Sequence, residues 1–115
     1  MARHEHLLIW QAVYKLTLRI YIAVHQFPRE YKYDLGQRLK NLVSDLLNLI
    51  VIVTSLKDKA KTLMEAKLKL EQLRIHLRLA NDLGIFGLKR YEIFVRIVEE
   101  ISKQLSGWLE WAESK

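Results

Sequence analysis

Apolar residues recur at spacings of three and four over four long stretches of the chain, and the stretch from Leu63 to Gly84 is the most telling. Leu63, Ala66, Leu70, Leu73, Leu77 and Ala80 fall on one stripe of a helix at about 100° per residue. Met64, Leu68, Ile75 and Leu79 form a second stripe, roughly 180° away by the same geometry. Between them run Lys67, Glu71, Arg74 and Arg78, again at three-four spacing. A helix that is apolar on two sides needs two partners. One side faces the core of its own chain, and the other is expected to meet something else beside a basic strip.

Three further stretches read the same way. Residues 5 to 27 carry the stripe Val13, Leu16, Ile20, Val24 and Phe27, with Leu7, Trp10, Tyr14, Leu18 and Tyr21 adjacent, together a wide apolar face. This helix must end before Pro28, because the residue preceding a proline is pushed out of the α region. Pro28 to Asp34 reads as a connection. A second helix is expected from Tyr33 to Ser55, with Leu35, Leu39, Leu42, Leu46, Leu49 and Val53 inward. Val51 and Ile52 lie off that stripe as surplus apolar surface. Leu56 to Lys61 is the next turn, with Ser55 and Asp58 in the S-x-x-D spacing of a helix start. Gly84 to Gly87 is the last turn, and Gly84 suits a left-handed helix cap. A fourth helix is expected from Leu88 to Ala112, with Tyr91, Phe94, Val98, Ile101, Leu105 and Trp108 inward, widened by Ile97 and Trp111. Four helices with short connections predict an all-α, antiparallel up-down-up-down four-helix bundle, a single domain over residues 1 to 115.

Composition adds a partner class. Half of the 115 residues are hydrophobic, a high fraction for a small domain with plentiful surface. Net charge is +6 and the pI about 9.7. The excess is uneven: residues 1 to 56 and 57 to 88 each carry seven basic and four acidic groups, and residues 89 to 115 carry five of each. A basic excess on part of a compact domain favours a polyanion. The chain has no cysteine, so disulfide and thiol chemistry are excluded. The opening MARHEHLLIW is too short in its apolar run for a signal peptide. No uncharged run approaches the ~20 residues of a membrane span. A cytoplasmic protein with no membrane partner is expected.

Catalytic motifs do not assemble. No Glu-x-x-His pair offers a di-metal site of the kind bundles can hold. His4 and His6 could bind a metal only adventitiously, and His25 and His76 stand alone as packing or surface groups. Gly84-x-x-Gly87 lacks the Lys-Ser/Thr of a P-loop. The chain is expected not to be an enzyme and to need no cofactor. Trp10, Tyr14, Tyr21, Trp108 and Trp111 are assigned to core or interface, as aromatics at helical spacing bury much area. Tyr31 and Tyr33, near Arg29 and Lys32, are better candidates for touching a flexible strand.

Four segments carry a resemblance over nearly the whole chain: IWQA from Ile9, FPREYKYDLGQRL from Phe27, LRIHLRLANDLG from Leu73 and SGWLEW from Ser106. They resemble the accessory variability determinant (Avd) proteins of diversity-generating retroelements. These belong to a four-helix-bundle family that includes proteins encoded in intervening sequences of bacterial 23S ribosomal RNA genes. The ribosomal-gene branch typically has an Asn-Ile-Ala-Glu-Gly-like segment late in the second helix, where this chain has NLIVIVTS from Asn48. The resemblance implies a non-catalytic accessory protein that binds a reverse transcriptase and RNA or DNA, supports mutagenic reverse transcription, and forms a homopentamer. The alternative is a structural or regulatory homo-oligomer of the 23S rRNA intervening-sequence protein type, with no polymerase partner.

Arg74, Arg78 and Lys67 are the first candidates for nucleic-acid contact, because guanidinium forks suit phosphate and the strip borders an expected interface. Arg29, Lys32, Arg38 and Lys40 are the second set. Met64, Leu68, Ile75 and Leu79, with Val51 and Ile52, are the expected oligomer interface, since they would otherwise form a large exposed patch.

Overall fold

The computed structural model describes residues 7–114. Four long helices and one short one follow each other: α1 (Leu8–His25), α2 (Arg29–Lys32), α3 (Leu35–Val53), α4 (Ala60–Asp82) and α5 (Leu88–Glu113). No strand occurs among the described residues. The four long helices form the expected bundle, 46 Å long and about 20 Å across (21 × 19 Å). α3 packs on α1 and α4, and α5 packs on α4 and more loosely on α1. α1 and α4 therefore stand at opposite corners.

The inner stripes of α1 and α4 are buried as the spacing requires. Leu63, Ala66, Leu70, Leu73, Leu77 and Ala80 of α4 all lie in the core, as do Val13, Leu16, Ile20 and Val24 of α1. The core of α3 is wider than its predicted stripe, taking in Val43 and Ile50 while Leu49 is only half-buried. Tyr91 and Trp108 of α5 are likewise half-buried. No polar or charged side chain is buried among the described residues. Phe86, from the last turn, closes one end of the core between Phe27, at 5.6 Å between centroids, and Phe94, at 5.3 Å.

The ends of the elements depart from the sequence reading for local reasons. α1 spans Leu8–His25 rather than residues 5 to 27; residues 5 and 6 lie outside the described ones, as do His4 and His6. Its last turn tightens: the Gln26 and Phe27 amides donate to the carbonyls of Ala23 and Val24, three residues back, both at 3.0 Å. The expected connection from Pro28 contains a helical turn. Pro28 lacks an N–H that a first turn would leave unpaired, and its carbonyl accepts from the Tyr31 and Lys32 amides. α3 starts at Leu35, not Tyr33, because Asp34 (φ −116°, ψ −87°) leaves the helical region. Gly36 lets α3 approach α1 closely: a Cβ there would come 2.6 Å from Val24 Cγ1.

Ser55 and Asp58 do not cap α4. The Ser55 hydroxyl turns back and donates to the Ile52 carbonyl at 2.9 Å. Lys59 secures this junction, its Nζ donating to the carbonyls of Val53 (2.9 Å) and Leu56. The end of α4 matches its sequence signal. Gly84 has φ +75°, and its amide donates to Asn81 while the Ile85 amide donates to Ala80. That bond pair is the Schellman arrangement, which satisfies carbonyls the helix end leaves open.

Candidate nucleic-acid interface

The outer face of α4 is as the two-stripe pattern requires. Met64, Leu68, Ile75 and Leu79 are 57%, 60%, 57% and 42% exposed. Ile52 of α3 is exposed and Val51 half-buried. On the α5 side of this stripe, Arg74 and Arg78 line a groove of about 250 Å³ with Tyr91 and Val95 of α5. Helical spacing puts the two arginines one turn apart. Each has an acid within reach: Arg74 Nε lies 3.4 Å from Glu71 Oε2, and Arg78 Nε lies 3.6 Å from Asp82 Oδ2. Lys67 is half-buried on the same line.

The second candidate set sits elsewhere. Arg29 and Lys32 are on α2, and Arg38 pairs loosely with Asp34 at 3.8 Å. Lys40 reaches towards α1, its Nζ 5.0 Å from the centre of the Tyr21 ring, a cation–π distance. The seven candidate cations are thus split between α4 and the α2–α3 end. Tyr31 packs against the core, whereas Tyr33 is exposed. His76 is a structural group: its Nδ1–H donates to the Gln72 carbonyl one turn back, at 2.6 Å. Among the described residues no cluster of histidines and carboxylates could hold a metal ion. None of their helices is long and apolar enough to cross a membrane.

The second stripe of α1 runs from the edge of the core, at Leu7 and Trp10, out to the surface. Tyr14, Leu18 and Tyr21 are exposed and Trp10 is half-buried, because the buried arc centres on Ile9, Val13, Leu16, Ile20 and Ala23. Trp10 and Tyr14 stack at 5.0 Å with their planes 9° apart. Close by, α1 and α5 together carry a second group of cations, Lys15, Arg19, Lys89, Arg90 and Arg96, along their seam. The local signal was the first turn of α5, which contains no acid. Its meaning depended on Arg19, seventy residues away in sequence and brought beside it by the bundle.

This is an all-α bundle protein whose surface carries apolar stripes and cationic grooves. A family model described as bAvd-like matches residues 7–112, and the chain belongs to that family. It is therefore an accessory protein of the Avd type, the diversity-generating-retroelement kind, and that family is non-catalytic. No curated protein matches the chain.

Proposed function

We propose that the chain binds the reverse transcriptase of a diversity-generating retroelement, together with RNA or DNA, and supports mutagenic reverse transcription. The observation that carries this reading is the family match across residues 7–112, nearly the whole bundle. The net charge of +6 supports a polyanionic partner. The protein acts as a homo-oligomer, a pentamer by resemblance to the Avd family, assembled through Met64, Leu68, Ile75 and Leu79 with Val51 and Ile52. Four large apolar side chains exposed along one helix favour a protein contact there.

The test is co-purification of the tagged chain with the reverse transcriptase encoded beside it, before and after nuclease treatment. Retention after nuclease is expected. Loss of the polymerase in both samples would leave the second reading, a structural or regulatory homo-oligomer with no polymerase partner. The exposed stripe of α4 would serve that assembly equally well.

A further inference from the structure

The loosest seam of the bundle lies between α1 and α5, and it opens into two adjoining grooves. The groove nearer the end of α1, about 350 Å³, is lined by Arg19, Lys89 and Arg90 over Ile22 and Ile93, and by no acidic residue. The next, about 740 Å³, holds Lys15 and Arg96, with Glu100 as its one carboxylate. Glu92 and Glu99, exposed on α5, line neither groove. Among the described residues none of the five cations has a carboxylate within ion-pair distance. Arg90 instead donates from Nη2 to Gln26 Oε1 at 3.1 Å, which ties the two helices at that end.

The stacked Trp10 and Tyr14 rings line the other end of the seam. From Trp10 to Gln26 the α1 backbone rises about 24 Å at 1.5 Å per residue. A track of cations outside any ion pair, leading to an aromatic platform, is the combination by which proteins hold single strands: charge follows the phosphates and rings stack on bases. A duplex keeps its bases inside, so the platform suits only an unpaired strand.

We infer that the α1–α5 seam is a binding groove for single-stranded nucleic acid, with Arg19, Arg90, Lys89, Lys15 and Arg96 on phosphates and Tyr14 stacked on a base. This rests on the reading of the chain as a nucleic-acid-binding accessory protein, and it places the principal contact away from Arg74 and Arg78. Recognition through phosphate and stacking carries little sequence preference.

The test is fluorescence anisotropy of the full chain with a labelled single-stranded RNA of about 12 nucleotides, within the usual site-size range. The salt concentration is varied, and the corresponding DNA strand and duplex serve as competitors. Arg19→Gln with Arg90→Gln should weaken binding at least tenfold at low salt and lower the salt slope by about 1.4, roughly 0.7 per phosphate contact on a single strand. Tyr14→Ala should weaken binding roughly tenfold with the slope unchanged, because stacking releases no counterions. Tyr14→Phe should bind like the parent. Either single strand should compete better than the duplex. These side chains are exposed or at the surface of the seam, so helicity should not change. No binding by the parent protein at low salt would remove the nucleic-acid reading altogether. Parent binding that survives the Arg19 and Arg90 changes with its slope intact would overturn the seam alone. Equal competition by duplex, or a Tyr14→Ala protein that binds normally, would overturn the single-strand assignment.

Discussion

α1 and α4 stand at opposite corners of the bundle and bury similar faces, yet they meet solvent in different ways. Each shows apolar side chains outward: Tyr14, Leu18 and Tyr21 on α1, Met64, Leu68 and Ile75 on α4. Each has cations at its border with α5. On α4 these cations are compensated, Arg74 by Glu71 and Arg78 by Asp82, on the same helix and within one turn. Along α1 they are not, and the cations facing Arg19 come from α5. Local pairing of this kind yields an ordinary solvated surface, in which exposed pairs contribute little. Charges gathered from two helices, with no carboxylate in ion-pair distance among the described residues, leave a field that favours an outside anion. The presence of arginines therefore says less than where their counter-charges sit.

The largest expected difference between the two helices lies in assembly. Leu68→Glu with Ile75→Glu places two charges in the proposed contact between copies, where unpaired charge is costly. The mass by light scattering should fall to that of the monomer with helicity retained. Leu18→Glu, on α1, should leave the mass unchanged. If the α1 variant dissociates and the α4 variant does not, the two faces have been assigned the wrong way round.

The inner faces should behave alike. Leu16 of α1 and Leu73 of α4 are both fully buried. Truncation of either to alanine should cost about 2–5 kcal/mol in denaturant unfolding, the range for a leucine removed from a packed core. A cost below about 1 kcal/mol for Leu16→Ala alone would mean that the loose α1–α5 packing extends into the core.

Much of this was legible in the sequence, and the exceptions share a cause. The inner stripe of α4, its exposed outer stripe and the left-handed Gly84 cap all follow from spacing within one helix, which three-four periodicity reports directly. The second stripe of α1 reads as core or interface, and spacing leaves that choice open, because periodicity shows how wide an apolar arc is, not how much of it a neighbour covers. Lys59 was invisible as a cap for α3, since a lysine reaching back across a turn leaves no spacing signature. The Ser55 and Asp58 spacing had the right letters, but the Ser55 hydroxyl was already committed to the helix behind it. The acids beside Arg74 and Arg78 could be read from the sequence, and Glu71 was. The grouping of Arg19 with Lys89 and Arg90 could not, because it exists only once the bundle closes.

The smallest expected effect bears most directly on why the two borders differ. If compensation is what quiets the α4 strip, its removal should make that strip resemble the seam. Glu71→Gln with Asp82→Asn keeps the size and shape of both side chains while freeing Arg74 and Arg78. Arg78 and Asp82 are exposed and Arg74 is half-buried beside an exposed Glu71, so the loss of stability should stay within about 1 kcal/mol per pair. Affinity for a single-stranded oligonucleotide should rise about fivefold at low salt, two pairs at roughly 0.5 kcal/mol each. The gain should shrink as salt screens exposed charge, and the salt slope should steepen as phosphate contacts are added. The complementary change, Arg74→Ala with Arg78→Ala, should weaken parent binding only a few-fold, well short of the Arg19 and Arg90 variant. A parent-like affinity for the Glu71 and Asp82 variant would place the α4 strip off the path of the nucleic acid. A loss on the α4 side as large as that at the seam would show instead that a paired arginine can exchange its carboxylate for a phosphate at little cost, and local compensation would then no longer separate the two surfaces.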